Sequence, residues 1–196
     1  MMRPPSIAPD RLFTRAFAAV FAAALVFFVS GGIVIPIAPR FATGPLGADA
    51  LGFGIAMGIF SLASLAVRPL VGWSADRFGR RPLLVGGSLL TVVALFLHLP
   101  ATGLPLFIAA RALLGVGEAC FLVAGLAAGG DLAPPRRTGE ALSLLSLSIY
   151  IGVAVGPVIG ETLLGAGGYP AVWVGAAVLA AVAAGLALLA PETRPP

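Results

Sequence analysis

Arg111, Gly115 and Glu118 fall at i, i+4 and i+7 of one apolar run, a spacing that puts them on a single face of an α-helix. At 1.5 Å rise per residue the two charges lie roughly 10 Å apart along the axis, sharing an exposure without a direct bond. An ionised group at the centre of a membrane-length run costs about 2.5–3.5 kcal/mol on insertion scales, so such groups face a protein interior or water. Glu118, near the middle of its run, is a candidate proton carrier or a contact for a cationic small molecule. The plainer alternative is a structural acid hydrogen-bonded to a neighbouring helix. Glu161 stands near the far end of the next run. Two antiparallel helices joined by a short loop would give it the depth of Arg111. Depth and connectivity therefore predict an Arg111–Glu161 ion pair, either a proton-coupled gate or a static brace.

A second cluster is the segment GWSADRFGRRP, Gly72 to Pro82. Asp76 and Arg80 are four residues apart, within pairing distance on a helical turn. Arg77 and Arg81 either join that pair or only anchor the segment at a membrane surface. Gly72 and Gly79 are expected to allow tight turning where one apolar run ends. Further along, Gly152, Gly156 and Gly160 form a stripe without side chains. Such a stripe lets helix backbones approach closely, and Pro157 removes one backbone hydrogen bond and invites a kink.

Other chemistries find little support. One cysteine (Cys120) and one histidine (His98) make neither a disulfide nor a metal site, so no metal and no cofactor are expected. His98 is expected to reach the membrane interface from the end of its run. There is no phosphate-binding loop, no dinucleotide fingerprint and no Ser/His motif of an intramembrane protease, and the chain is read as no enzyme. Ten of the twelve arginines sit in the tails and short connectors and none in a basic domain, which argues against a nucleic-acid partner.

Hydrophobic residues make up 59% and charged residues 10% of the 196-residue chain, and mean hydropathy is +1.06. Soluble domains are nearer 45–50% apolar and about 25% charged, so the expected partner is the lipid bilayer. Six runs have the length of a spanning helix: Ala16–Ile37, Leu51–Val71, Leu83–Leu99, Leu104–Gly129, Leu142–Gly165 and Ala171–Ala190. Pro/Gly punctuation separates them at Pro39–Gly47, Pro100–Pro105, Pro134–Gly139 and Gly165–Pro170. Arg3, Arg11, Arg15, Arg77, Arg80, Arg81, Arg136, Arg137 and Arg194 fall on one side and Arg40 on the other. The positive-inside rule then places both termini in the cytoplasm. The expected organisation is a cytoplasmic tail (1–15), a six-helix transmembrane domain (16–190) and a second tail (191–196), in the inner (plasma) membrane.

The Gly72–Pro82 segment resembles the loop between the second and third helices of major facilitator superfamily transporters, G-x-x-x-D-R-x-G-R-R/K, through Gly72, Asp76, Arg77, Gly79, Arg80 and Arg81. Pro36-Ile-Ala-Pro39 resembles the P-x-x-P of drug-exporting members. Arg111, Gly115 and Gly117 resemble R-x-x-x-G-x-G, and Gly152, Gly156, Pro157 and Gly160 resemble the antiporter signature G-x-x-x-G-P-x-x-G-G, with Glu161 in place of the last glycine. Pro191-Glu192-Thr193 resembles the P-E-T after the sixth helix. The resemblance implies an all-α half of that fold, built as two inverted three-helix repeats. It implies proton-coupled efflux of a small molecule by alternating access, with Arg111, Glu118 and Glu161 coupling protons. It also implies that Asp76 and Arg80, with Asp131 at the end of the fourth helix, latch one conformation. The expected partners are the substrate, protons and a second six-helix half, from a homodimer or a separate chain. The competing reading is a split or truncated half without transport of its own.

Overall fold

The computed structural model describes residues 11–194; most of the expected N-terminal tail, with Arg3, and the last two prolines lie outside them. The described chain is all-helical: α1 (Arg15–Thr43), α2 (Ala50–Phe78), α3 (Arg80–Leu97), α4 (Leu104–Leu132) and α5 (Thr138–Leu188). All five are long and apolar enough to cross a membrane, and the protein is a multi-pass membrane protein. In hydrocarbon every backbone N–H and C=O must be paired within the protein, which long helices do by themselves.

Helix ends follow local chemistry. Thr14 caps α1 by accepting from the Phe17 N–H, and Asp49 caps α2 by accepting from Gly52. Gly79, at φ +102°, separates α2 from α3, a conformation that glycine adopts without steric cost. Two expectations about punctuation fail here. Pro36 and Pro39 do not end the first helix, which runs on to Thr43, and Gly72 lies inside α2, six residues before its end, so only Gly79 serves the turn. Pro157 likewise sits within helical backbone. Packed neighbours satisfy the groups that a proline frees in membrane helices.

In place of six separate helices the described chain shows five helical stretches, the last of them two arms joined at a kink. The expected boundary at Gly165–Pro170 opens into no loop: α5 runs through it, broken only by the non-helical φ/ψ of Gly167 and Gly168. Its two arms, 138–166 and 169–188, nevertheless lie side by side. Gly156 packs on Gly32, while the Ser30 hydroxyl donates to the Ala176 carbonyl at 2.7 Å. In a straight helix residues 156 and 176 would stand about 30 Å apart along the axis, yet both meet the same turn of α1. The chain therefore folds back at the glycine pair.

α1 packs chiefly on α5, and α4 lies between α2 and α3. Glycines set these approaches. A Cβ on Gly152 would lie 2.6 Å from the Phe28 carbonyl carbon, and one on Gly160 would lie 2.7 Å from the Ile33 oxygen. On α4, Gly115 abuts the α2 backbone at Phe60 and Ser64, whereas Gly117 abuts α3 at Gly87 and Thr91. The R-x-x-x-G-x-G spacing thus lets one helix wedge between two others. Aromatic clusters towards the two ends of the bundle fill the remaining space, with Phe27 stacked on Phe121 at 4.0 Å and Phe41 edge-on to Trp173.

His98 does not reach the interface. It is fully buried, its Nδ1 is 2.7 Å from the Ala94 carbonyl, and its ring lies against Phe107 and Trp173. Those aromatic rings enclose the end of α3, so the imidazole has no path to water.

The α1–α5 contact makes a direct prediction. Gly156→Ala places a methyl against the Gly32 backbone and should cost about 1–3 kcal/mol, the usual penalty of overpacking. Gly31→Ala meets nothing within 4 Å and should leave thermal unfolding in detergent unchanged.

Candidate functional site

α4 carries the charges to mid-depth. Glu118 is 14 residues from either end of Leu104–Leu132. Around it α1, α2, α4 and α5 line an open-sided cavity of about 380 Å³, bordered by Arg111 and Glu118 together with Phe28, Gly31, Phe60 and Val153. That volume is in the range of small-molecule sites, which are largely apolar with a few polar groups to fix orientation.

Each charge has a local partner. The Ser64 hydroxyl donates to Glu118 Oε2 at 2.6 Å. The Arg111 guanidinium lies 4.8 Å over the Phe60 ring, a favourable cation–π placement, and its Nε makes a long 3.4 Å contact with the Ala56 carbonyl. Ser64 had no signal of its own in the sequence. Its role follows from the close approach of Gly115, which brings α2 against the acidic face of α4.

The predicted Arg111–Glu161 pair does not form. Glu161 is held by Arg40, whose Nη1 reaches its two carboxylate oxygens at 2.8 and 2.7 Å. Depth alone is insufficient: the glycine stripe packs α5 onto α1, which brings Glu161 to the C-terminal end of α1, while Arg111 is turned towards α2.

Asp76, Arg80 and Asp131 are brought together. Arg80 is buried; its Nη2 is 3.0 Å from Asp76 Oδ1 and its Nε 3.1 Å from Asp131 Oδ2. Its Nη1 donates to the Ala75 carbonyl at 2.8 Å. Glu192 closes the cluster by accepting from the Arg80 and Thr193 backbone N–H groups, and its carboxylate occupies the space a side chain at residue 79 would need. Glu192 belonged to a recognised motif, yet its contact with the N-terminus of α3 was not foreseen. Arg77 stays outside the cluster, stacked at 5.3 Å over Trp73, and Arg81 turns to another surface.

Arg68 stands ten residues from the C-terminal end of α2, exposed and without an ion-pair partner among the described residues. An Arg-Pro pair inside a spanning run was the available signal.

Residues 20–196 match the family model described as Major Facilitator Superfamily. The chain is 35% identical over 111 residues to the MFS-type transporter ppzB of Metarhizium rileyi, covering 57% of this chain and 23% of that protein. It is 33% identical over 144 residues to multidrug resistance protein MdtL of Shigella flexneri, covering 72% of this chain and 36% of that one. In fold it is similar to the human organic anion transporter MFSD10, with TM-score 0.76 and 21% identity, covering 96% of this chain and 49% of that structure. The chain spans half or less of the length of each of these three proteins.

The revised pairing is testable by double-mutant cycles read as thermal stability in detergent. Arg40→Met with Glu161→Gln should show coupling of about 0.5–1 kcal/mol, as expected of a half-exposed pair. Arg111→Met with Glu161→Gln should be additive.

Proposed function

Because the chain belongs to the Major Facilitator Superfamily, we propose that it forms one six-span unit of a secondary transporter that exports a small molecule by alternating access, coupled to protons. The observation that carries this reading is the pairing of Arg111 and Glu118 in one cavity at mid-depth. A static scaffold gains nothing from burying two charges there, whereas a carrier needs a group that exchanges a proton or a cation. The names of relatives such as multidrug resistance protein MdtL support export. In this reading the two arms of α5 are the fifth and sixth spans, completing two three-helix repeats.

The Asp76–Arg80–Asp131 cluster acts as the conformational latch. It ties the ends of α2, α3 and α4 together at one surface, so sliding of α2 against α4 must break it. Arg40–Glu161 braces the opposite end. Both termini face the cytoplasm in this reading, supported by the arginine bias, and the membrane is the plasma membrane.

A second six-span unit completes the transporter, as a second copy or a separate chain. α2 favours this: 11% of its most apolar window is buried, against 39–44% for the other helices. Lipid tolerates that apolar surface but not Arg68, which needs an acid or water across the interface.

The test uses inside-out vesicles containing the full chain, with ethidium as a cationic probe. Acidifying the interior should drive ethidium accumulation, and Glu118→Gln should abolish it without changing membrane insertion or helix content. Unaltered accumulation in that variant would return Glu118 to a structural role.

A further inference from the structure

Arg80 and Arg81 are neighbours with opposite fates. Arg80 is committed to two carboxylates and a carbonyl, whereas Arg81 has no hydrogen-bond or ion-pair partner among the described residues, and neither has Arg15. Arg15 and Arg81 border one groove of about 740 Å³ between the inner ends of α1, α3 and the second arm of α5. Its wall is apolar: Ala18 and Ala19 on one side, Leu188 and Leu189 on the other, with no acid in the lining. A second hollow, of about 460 Å³, continues past Arg81 along Val85 and Gly86. Glu192 borders that hollow, but its Oε1 is taken by the backbone N–H groups of Arg80 and Thr193.

The groove lies at headgroup depth. It is where α1 and α3 begin and α5 ends, and Phe13, 64% exposed, stands between Arg11 and Arg15 as an apolar anchor flanked by cations. Two unpaired guanidiniums above an apolar trough match one amphiphile, with phosphate at the cations and hydrocarbon along the alanines and leucines. Guanidinium–phosphate bonds are charge-assisted and strong, and basic pockets between membrane helices suit anionic headgroups.

We propose that this groove binds an anionic phospholipid, its phosphate held between Arg15 and Arg81 and its acyl chain lying along Ala18, Ala19 and Leu188. The site is separate from the charged cavity. It requires helices that cross a bilayer, but neither transport nor a given orientation of the termini, so its failure and the failure of the transport reading are distinguishable.

Native mass spectrometry of the full chain tests it, titrating palmitoyl-oleoyl phosphatidylglycerol, the matching phosphatidylcholine and inorganic phosphate. Phosphatidylglycerol should bind at least tenfold more tightly than phosphatidylcholine. The double variant Arg15→Gln/Arg81→Gln should lose roughly 25-fold in phosphatidylglycerol affinity, about fivefold for each arginine, whereas Arg136→Gln, outside the groove, should lose nothing. Ala18→Phe, at an exposed position, fills the trough without altering charge and should also weaken binding. Equal affinity for the two lipids, or full binding by the double variant or by Ala18→Phe, would overturn the proposal. Displacement of phosphatidylglycerol by equimolar inorganic phosphate would also overturn it, assigning the arginines to a free anion.

Discussion

A charge placed among hydrocarbon must find a partner, a cavity or an interface, and much of this architecture follows from that constraint. Few charges enter the helices, and each has a structural consequence. Arg80 is buried against Asp76 and Asp131, which ties the adjoining ends of α2, α3 and α4. Arg40 holds Glu161, tying the C-terminal end of α1 to the first arm of α5. Arg111 and Glu118 share a cavity rather than a bond, and each is held by its own neighbour, Phe60 beneath the guanidinium and Ser64 at the carboxylate. Arg68, on the exposed face of α2, has no ion-pair partner among the described residues.

Close backbone approach makes these placements possible. Glycines on α4 and α5 remove the side chains that would hold α1, α2 and α3 away. Without Gly115, Ser64 could not reach Glu118; without the Gly152–Gly160 stripe, Glu161 would not lie beside Arg40. Packing and electrostatics are therefore one problem in this fold: the small residues choose the helix faces, and the faces choose the ion pairs.

Much of this was legible in the sequence. Span-length apolar runs give the helices, the Asp76/Arg80 spacing gives one ion pair of the cluster, and Asp131 comes only from the family resemblance. The shared cavity exposure of Arg111 and Glu118 follows from their helical spacing. Azimuth was not legible. Two residues at equal depth on neighbouring helices can point apart, which is why Glu161 met Arg40 instead of Arg111. Prolines misled as punctuation because packed neighbours can satisfy a helix through Pro36 and Pro39. The reversal takes only Gly167 and Gly168, too few residues to form the loop that the Gly165–Pro170 punctuation suggests. His98 was misplaced because one residue's position says nothing about the Phe107 and Trp173 rings that close over it.

Functionally, everything rests on the cavity around Arg111 and Glu118 holding water at mid-membrane rather than lipid. The most direct measurement is modification of single cysteines, in a Cys120→Ala background, by a charged membrane-impermeant methanethiosulfonate. Gly31 lines the cavity and has open space for a side chain; Val174, 40% exposed on the second arm of α5, does not border it. Gly31→Cys in the reconstituted chain should react at least tenfold faster than Val174→Cys. Equal inertness at the two positions would mean that the cavity is dry or filled by lipid, and would contradict its assignment as a transport site.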